Sequence, residues 1–515
     1  MTMNGADALI RVLIDNGIDT CFANPGTTEM HLVAALTRDA GIANHLCLFE
    51  GVATGAADGY ARMSGRPAAT LLHLGPGLAN GIANLHNARK ASTPVLNIVG
   101  EHALDHIAHD APLTADIEGL AGPVSKSVAT LRSTAEIGIV TQAMLTEIQT
   151  GQKGVGTLIV PNDVAWGAAV PGNLPPADLP SPAKADEDAV EAAARALAAP
   201  GAVLLLGAPH ITRRMQELAL AIAATTGARL LAEAATARVS RGGGLPGLTR
   251  IPFQIDAALE TLKDTGTAVL AGARAPVAFF AYPGRPSELL PPGCDRVTLC
   301  PPEGDIEAAL EALAARLGAS PADAEPIAPA AVPDGPITPE TLGLAVAATL
   351  PEGAIVADES VTNGASLYPA CAAAPAHDWL NNRGGSIGYS LPLSVGCAAA
   401  CPDRPVLAIV GDGSAAYTLQ ALWTMARAGM NITVIVLSNR RYRILTNEMS
   451  KIGAGEVDEG SDPLMSLDNP PIDWAAISTG FGVPAMRADS GPLLATAIQN
   501  ALAEPGPHLI EAIMT

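Results

Sequence analysis

The chain has 515 residues, which at about 150 residues per domain predicts three or four domains and excludes a short peptide module. Apolar residues make up 49% of the sequence and charged residues 16%, a composition typical of a folded globular protein. Because 51 acidic residues outnumber 30 basic ones, the net charge is −21 and repels polyanions, so we expect no binding to nucleic acid.

The weakly charged stretch at residues 387–402 is the strongest candidate for a membrane span. It is interrupted by Pro392, and 7 of its 16 residues are Gly, Ala or Ser. It therefore lacks the roughly 18 to 20 strongly apolar residues that a spanning helix needs. The first ten residues show no basic region followed by an apolar run, so they predict no secretory signal. We therefore expect a cytoplasmic protein that does not enter a membrane.

Two stretches rich in Pro, Ala and acidic residues, at 171–186 and 319–338, contain no aromatic residue. Such a composition makes a poor core and a good semi-rigid linker. These linkers predict three domains, at residues 1–170, 187–318 and 339–515.

All three predicted domains alternate short β-branched or aliphatic runs with longer Ala-rich helical stretches. Strand and helix alternating at this spacing indicate parallel sheets covered on both faces. The predicted fold class is therefore α/β, with three Rossmann-like doubly wound parallel-sheet domains. The predicted strands are 68–74, 95–100, 156–160, 202–207, 267–271, 353–356, 406–410 and 432–437.

In the first domain, Glu50 lies between an apolar stretch at 46–49 and a helical stretch of small residues. Small residues permit close approach of a neighbour, and an acid in such surroundings suits a proton-shuttling role. The alternative is that Glu50 simply caps the helix.

Two polar residues follow neighbouring predicted strands of the third domain. Asp412 comes after the strand at 406–410 and Asn439 after the strand at 432–437, with a helix predicted over 417–428 between them. Because parallel strands end at the same edge of a sheet, we expect the two side chains to be neighbours. Carboxylate and amide oxygens are suitable ligands for Mg²⁺.

The residues around Asp412 also suit a phosphate. Gly411 and Gly413 let the backbone approach a ligand closely, and the N–H groups of Ser414 and Ala415 are available to donate to phosphate oxygens. An ordinary strand-to-helix turn with a surface Asp is the alternative, which the short run alone does not exclude.

The run Gly-Asp-Gly-Ser, with Asn439 27 residues after Asp412, resembles the cofactor motif of thiamine diphosphate (ThDP) enzymes. The stretch GDGSAAYTLQALWT is similar to the acetolactate synthase large subunit and benzoylformate decarboxylase family. The resemblance implies Mg²⁺ bound by Asp412, Asn439 and the backbone carbonyl of Arg441. It places the cofactor diphosphate against Gly411, Gly413, Ser414 and Ala415. Two departures from the family pattern are Ser438 and Arg443, where the family usually has Asn and Gly.

A second resemblance lies upstream, at residues 383–392. This stretch is similar to the family's Gly-Gly-x-aliphatic-Gly motif, which implies that Ile387 props the bound cofactor in a bent conformation. A β-branched side chain with a restricted χ1 suits a fixed prop. From the residues alone, Ile387 could equally be a core residue between glycines.

The segment around Glu50 resembles the family's E-x-x-A-x-x-x-A-D-G-Y-A-R motif, which implies that Glu50 hydrogen-bonds the cofactor's aminopyrimidine. Thr27 and His73 fall at the substrate-side Ser and His of benzoylformate decarboxylase. That enzyme's second active-site His has no counterpart at 275–284. Some family members bind FAD, but the glycine run at 242–244 is too weak a signal to support it.

The resemblance implies pyrimidine-binding, middle and diphosphate-binding domains, and non-oxidative decarboxylation of a small 2-oxo acid with protonation or carboligation of the enamine. Two alternatives stay open: an acyl-CoA-type C–C lyase on the same cofactor, and a catalytically inactive ThDP-binding regulatory subunit. Since Glu50 and Asp412 lie in different domains, the family arrangement implies a homodimer or homotetramer with sites between subunits.

Overall fold

A computed structural model describes residues 3–169, 175–321, 327–454 and 463–515. Residues 170–174 and 322–326, which belong to the predicted linkers or border them, lie outside the described residues. The exact domain boundaries therefore stay a prediction.

The strands fall into three sheets. They are β1 Thr20–Asn24, β2 Ala43–Leu46, β3 Ala68–Leu72, β4 Val95–Glu101, β5 Ser127–Thr130, β6 Val155–Pro161, β7 Ala202–Leu206, β8 His210–Ile211, β9 Arg229–Ala232, β10 Arg238–Arg241, β11 Thr267–Ala271, β12 Asp295–Cys300, β13 Ile355–Glu359, β14 His377–Asn381, β15 Val406–Gly411, β16 Ile432–Ser438, β17 Ala485–Ala488 and β18 His508–Ile513.

Helices alternate with these strands. They are α1 Gly5–Asp15, α2 Met30–Arg38, α3 Glu50–Ser64, α4 Leu74–Lys90, α5 Ile117–Ala121, α6 Ile137–Gln149, α7 Asn162–Trp166, α8 Glu187–Leu197, α9 Arg213–Thr226, α10 Ile255–Leu262, α11 Ile306–Leu317, α12 Pro339–Thr349, α13 Leu367–Ala370, α14 Ser390–Ala400, α15 Asp412–Ala415, α16 Ala421–Ala428, α17 Arg443–Lys451, α18 Trp474–Gly480 and α19 Gly491–Ala503. None of the helices in the described part of the chain has the length and apolar character that a bilayer span requires.

The predicted fold class is confirmed: three α/β domains are built on largely parallel sheets. The first domain has strand order β2-β1-β3-β4-β6-β5, and the middle domain has β12-β11-β7-β9. The third sheet has order β17-β18-β16-β15-β13-β14-β10-β8. Strands such as β3, β4, β6 and β15 are apolar and almost wholly buried, because helices cover both faces of each sheet.

The third sheet extends beyond the third domain. Strands β8 and β10 come from the middle segment of the chain, and β10 pairs antiparallel with β14, Val239 opposite Trp379. The chain thus joins its middle and third domains through a shared sheet, a feature that the sequence analysis did not predict.

The helix predicted over 417–428 begins later than expected, at Ala421, and Asp412–Ala415 forms a separate short helix. Between them, the Thr418 hydroxyl donates to the carbonyl of Gly388 at 2.9 Å. This contact ties the segment to the loop before α14, so residues 416–420 form turns and not a continuous helix.

Helices α3 and α14 join the first and third domains with their backbones in close approach. A Cβ atom on Gly396 would lie 1.8 Å from the carbonyl oxygen of Ala56, and one on Gly59 would lie 2.0 Å from that of Leu393. The surrounding side chains form a core common to both domains. Only glycine leaves room at these two crossing points.

We expect Gly396→Ala to destabilise the protein by about 3 kcal/mol, because the new methyl group would meet backbone atoms that no rotamer change can move away. The matched control is Gly480→Ala near the end of α18, where a Cβ meets nothing within 4 Å. Urea unfolding of both variants checks this, and equal midpoints for the two would contradict the packing account.

Candidate active site

Asp412 and Asn439 meet at the carboxyl edge of the third sheet. Strands β15 and β16 are adjacent, with Gly411 opposite Leu437. The Asp412 side chain accepts hydrogen bonds from the backbone N–H of Gly413 at 2.8 Å and of Arg440 at 2.6 Å. The structure therefore brings together the two residues that the sequence placed at this edge.

In the turn after β16, the backbone N–H of Arg440 points toward the Asp412 carboxylate. Arg440 adopts a left-handed conformation with φ of 56°, which is uncommon for a residue with a side chain. The next N–H, of Arg441, donates to Oδ1 of Asn439 at 3.1 Å. The Asn439 amide and the Arg441 backbone are thereby held beside the buried carboxylate.

The donor set suits a hard cation. Asp412 is only 4% exposed, and among the described residues it has no basic side chain as an ion-pair partner. Burial raises the pKa of Asp412, although N–H donors from Arg440 and Gly413 act in the opposite direction. Each carboxylate oxygen uses one lone pair for an N–H and keeps another, so a divalent cation would supply the missing positive charge.

Tight packing surrounds the glycines of this edge. A Cβ on Gly413 would lie 2.4 Å from the Tyr442 ring, and one on Gly388 would lie 2.5 Å from Cβ of Tyr417. The two glycines therefore let Tyr442 and Tyr417 pack directly against the backbone beside the end of β15.

Ile387 is half-buried in the loop before α14, between Gly385 and Gly388, whose φ angles are 81° and 83°. Glu359, at the end of β13, accepts N–H bonds from Gly388 at 2.6 Å, Tyr389 at 3.1 Å and Ser390 at 2.9 Å. This buried carboxylate fixes the loop that carries Ile387, and the sequence analysis missed it.

Helix α4 of the first domain holds the other side of this loop. Asn87 donates to the carbonyl of Ser386 at 2.9 Å and accepts from its N–H at 3.2 Å. Asn84 donates to the carbonyl of Gly51 at 2.8 Å, one residue after Glu50. One helix face thus contacts both the loop of Ile387 and the turn of Glu50.

Glu50 is the first residue of α3 and is 9% exposed. Its Oε2 accepts a hydrogen bond from Asn80 of α4 at 3.0 Å, and a Cβ on Gly77 would lie 3.3 Å from Oε1. The residue before it, Phe49, occupies the N-cap position and makes no side-chain capping bond. The carboxylate faces α4.

His73 follows β3 and pairs with Glu29, a residue that the sequence analysis missed. Its Nδ1 lies 2.8 Å from Oε2 of Glu29, whose side chain is completely buried. Thr28 contacts both residues, whereas the predicted Thr27 is exposed. The sequence shows Glu29 three residues after Gly26, but it does not show that the Glu29 side chain is buried.

The middle domain adds an aromatic cluster beside the loop of Ile387. The rings of Phe253, Phe279 and Phe280 lie 4.8 to 6.4 Å apart, and each is at least 41% exposed. Phe279 packs on Gly385, where a Cβ would lie 2.6 Å from its ring. An adjoining cavity of about 760 Å³ lies between the first and middle domains and reaches Phe279 and Arg383.

The glycine run at 242–244 does not line that cavity. A Cβ on Gly242 would lie 2.3 Å from the carbonyl oxygen of Pro375, and one on Gly243 would lie 3.1 Å from Cβ of Ala376. These glycines permit close packing against the third domain and give no support for an FAD site.

The buried carboxylate of Glu359 makes a pH-dependent contribution to stability. Burial raises its pKa to about 7, above the ordinary 4.5 that applies once the chain unfolds. The folded state therefore binds more protons than the unfolded state between those values, so this contribution falls as pH rises through the window and is level above it.

We expect the stability of the native protein relative to Glu359→Gln to fall by about 3 kcal/mol between pH 4.5 and 7. Calorimetric unfolding of both proteins across this range measures the difference. The control is Glu352→Gln, at an exposed position on the same domain. A native-to-variant difference that grows with pH would show that the fold prefers the ionised carboxylate.

Comparison with known proteins identifies the family. The profile of the thiamine pyrophosphate enzyme N-terminal TPP binding domain matches residues 3–120, and that of the C-terminal TPP binding domain matches residues 363–512. Thiamine pyrophosphate is the compound called ThDP above.

Several relatives match almost the full chain. One, from Mycobacterium tuberculosis, is named after the acetolactate synthase large subunit (IlvX); it is 46% identical over 99% of both chains. Benzoylformate decarboxylase of Pseudomonas aeruginosa is 30% identical over 98% of this chain and 97% of its own.

Solved structures show the same fold. The ThDP-dependent 4-hydroxybenzoylformate decarboxylase of Rhodococcus jostii superposes with a TM-score of 0.85 at 23% identity, over 100% of this chain and 99% of the other. With two matched domains and a relative 46% identical over its whole length, this chain belongs to the thiamine pyrophosphate enzymes.

Proposed function

We propose that this ThDP-dependent enzyme decarboxylates a small 2-oxo acid without oxidation and then either protonates the remaining acyl unit to an aldehyde or adds it to a second carbonyl. The observation that carries the proposal is the buried Asp412, beside Asn439 and lacking a cationic partner among the described residues. A carboxylate in that state suits Mg²⁺ and the diphosphate that Mg²⁺ accompanies.

Different residues of the proposed site hold the metal ion and the different parts of ThDP. Bound ThDP supplies an electron sink for the loss of CO₂. We assign Mg²⁺ to Asp412, Asn439 and the Arg441 carbonyl, the diphosphate to Gly411, Gly413, Ser414 and Ala415, and the bend of the cofactor to Ile387.

Glu50 and His73 are the proton-handling groups in this proposal. Asn80 orients the Glu50 carboxylate, which would hold a proton for the aminopyrimidine of bound ThDP. His73 stands at the end of β3 and exchanges a proton with the substrate or product. We place the exposed Thr27 at the substrate side of the same edge.

The middle-domain loop at 275–284 favours addition to a second carbonyl over protonation. It presents Phe279 and Phe280 and contains no His. These apolar rings offer no proton to the acyl unit, so addition to a second carbonyl competes with protonation. The same rings suit a 2-oxo acid with an apolar side chain.

Product analysis with pyruvate, 2-oxobutyrate and benzoylformate, each alone and with added aldehydes, tests the reaction. We expect CO₂ from at least one acid, and a ligation product when an aldehyde is present. If the protein binds ThDP and Mg²⁺ yet releases no CO₂ from any 2-oxo acid, the decarboxylase proposal fails, and the acyl-CoA-type lyase or the inactive subunit takes its place.

Asp412→Ala should lower Mg²⁺-dependent ThDP affinity by at least about 100-fold, since it removes a metal ligand and its charge. Titration calorimetry measures the affinity, and circular dichroism verifies the fold. Asp403→Ala, at an exposed position before β15, serves as the control and should bind normally. Unchanged affinity in Asp412→Ala would place the metal elsewhere.

Glu50→Gln should bind ThDP normally but lose about 10²- to 10⁴-fold in turnover, because an amide cannot cycle a proton. If each site lies between a pair of subunits in a homodimer or homotetramer, mixing Glu50→Gln with Asp412→Ala chains restores part of the activity, because each hybrid pair contains one intact site. No recovery despite demonstrated subunit exchange would mean that each chain builds its own site.

A further inference from the structure

Glu29 is a fully buried carboxylate to which the proposed reaction gives no task. It ends the short 3-10 turn Thr27–Glu29 that follows β1. Its Oε2 accepts from the N–H of Gly26 at 2.7 Å and lies 2.8 Å from Nδ1 of His73, while Oε1 accepts from the hydroxyl of Thr28.

Two glycines leave the space that this contact needs. A Cβ on Gly100, at the end of β4, would lie 1.7 Å from Oε1 of Glu29. A Cβ on Gly26 would lie 2.2 Å from Nδ1 of His73. The carboxylate and the ring fit together only because neither neighbour carries a side chain.

The contact determines which ring nitrogen carries the proton. The Thr28 hydroxyl donates to Oε1 of Glu29 and lies 3.3 Å from Nδ1 of His73. With Glu29 ionised, its carboxylate only accepts hydrogen bonds, and Nδ1 of His73 is the donor. In the neutral ring Nε2 then has a free lone pair. Within the described residues no hydrogen bond to Nε2 is recorded, and the His73 side chain is 23% exposed.

We propose that Glu29 is the positioning residue of His73: it fixes the ring orientation and the Nδ1–H tautomer, and so presents Nε2 as the nitrogen that exchanges a proton at the substrate side. Buried acceptors orient histidine ligands of metals in the same way. The tautomer follows from this contact with an ionised Glu29, whereas its catalytic use rests on the proposed function.

A purely structural Glu29 is the competing explanation, because the same carboxylate also accepts the Gly26 N–H. The two explanations differ in what they require of His73. A structural acid needs only an acceptor for Gly26, whereas a positioning acid must hold His73 in one tautomer.

The direct test is ¹⁵N NMR of the full-length holoenzyme labelled at histidine, with the His73 signals identified by their loss in His73→Gln. In the native protein at a pH where the ring is neutral, we expect a protonated, pyrrole-type Nδ1 and a pyridine-type Nε2. The opposite assignment would overturn the proposal without any variant.

Variants extend the test to catalysis. Glu29→Met removes the acceptor and should abolish the fixed tautomer, with kcat lower by about 10- to 100-fold and KM and ThDP affinity little changed. Glu29→Gln keeps a carbonyl acceptor and should restore the tautomer and part of kcat. The control is Glu511→Gln in the third domain, another buried acid, which pairs with Arg487 of the neighbouring strand β17. It should leave the His73 signals unchanged.

Unaltered His73 signals in a folded Glu29→Met variant would contradict the proposal. So would an equal loss of kcat in Glu29→Gln and Glu29→Met with the tautomer intact. Should the native protein release no CO₂ from any 2-oxo acid, the proposed function fails, but the NMR measurement still decides the role of Glu29.

Discussion

The close crossing of α3 and α14 is the constraint on which the site depends. Helix α3 begins with Glu50, and α14 begins directly after the loop of Ile387. Because Gly59 and Gly396 bring the two backbones into contact, the positions of Glu50 and Ile387 are set by a packed core and not by flexible loops. On the same helix, Asp58 directly precedes Gly59 and forms a buried ion pair with Arg62, which extends this contact to all three domains. Arg62 donates to the carbonyl of Asn381 at 2.8 Å and to that of Ala237 at 3.3 Å.

Two buried carboxylates, Asp378 and Asp412, differ in the groups that compensate their negative charge. This difference distinguishes a structural carboxylate from one that we assign to the cofactor site. Asp378 is buried, which raises its pKa, but Arg238 and Arg404 more than offset that and hold the pKa below its usual range. Asp412, by contrast, accepts hydrogen bonds from backbone N–H groups and from no cationic side chain in the described part of the chain, and its pKa is raised. We expect a cation at a buried carboxylate such as Asp412, which lies at a sheet edge. A carboxylate such as Asp378, which is paired with two arginines, is part of the scaffold.

The sequence was most informative where chemistry and periodicity coincide. Buried strands appear in the sequence as apolar runs, and the Gly-Asp-Gly-Ser run together with the distant Asn439 predicts the sheet edge at which the two segments meet. Features that depend on contacts between distant segments were not predictable. The two-residue strand β8 is too short for a periodic signal, and the burial of Glu29 and Glu359 arises only when other strands and loops close around them. The helix predicted over 417–428 was interrupted because Thr418 bonds to Gly388, 30 residues away.

A crystal structure of the protein grown with ThDP and Mg²⁺ tests the account most directly. The account predicts one metal ion bound by Asp412, Asn439 and the Arg441 carbonyl, with the diphosphate against residues 411–415 and the aminopyrimidine within hydrogen-bond distance of a Glu50 carboxylate. Density for the diphosphate away from that edge, or an aminopyrimidine that contacts no Glu50, would contradict it.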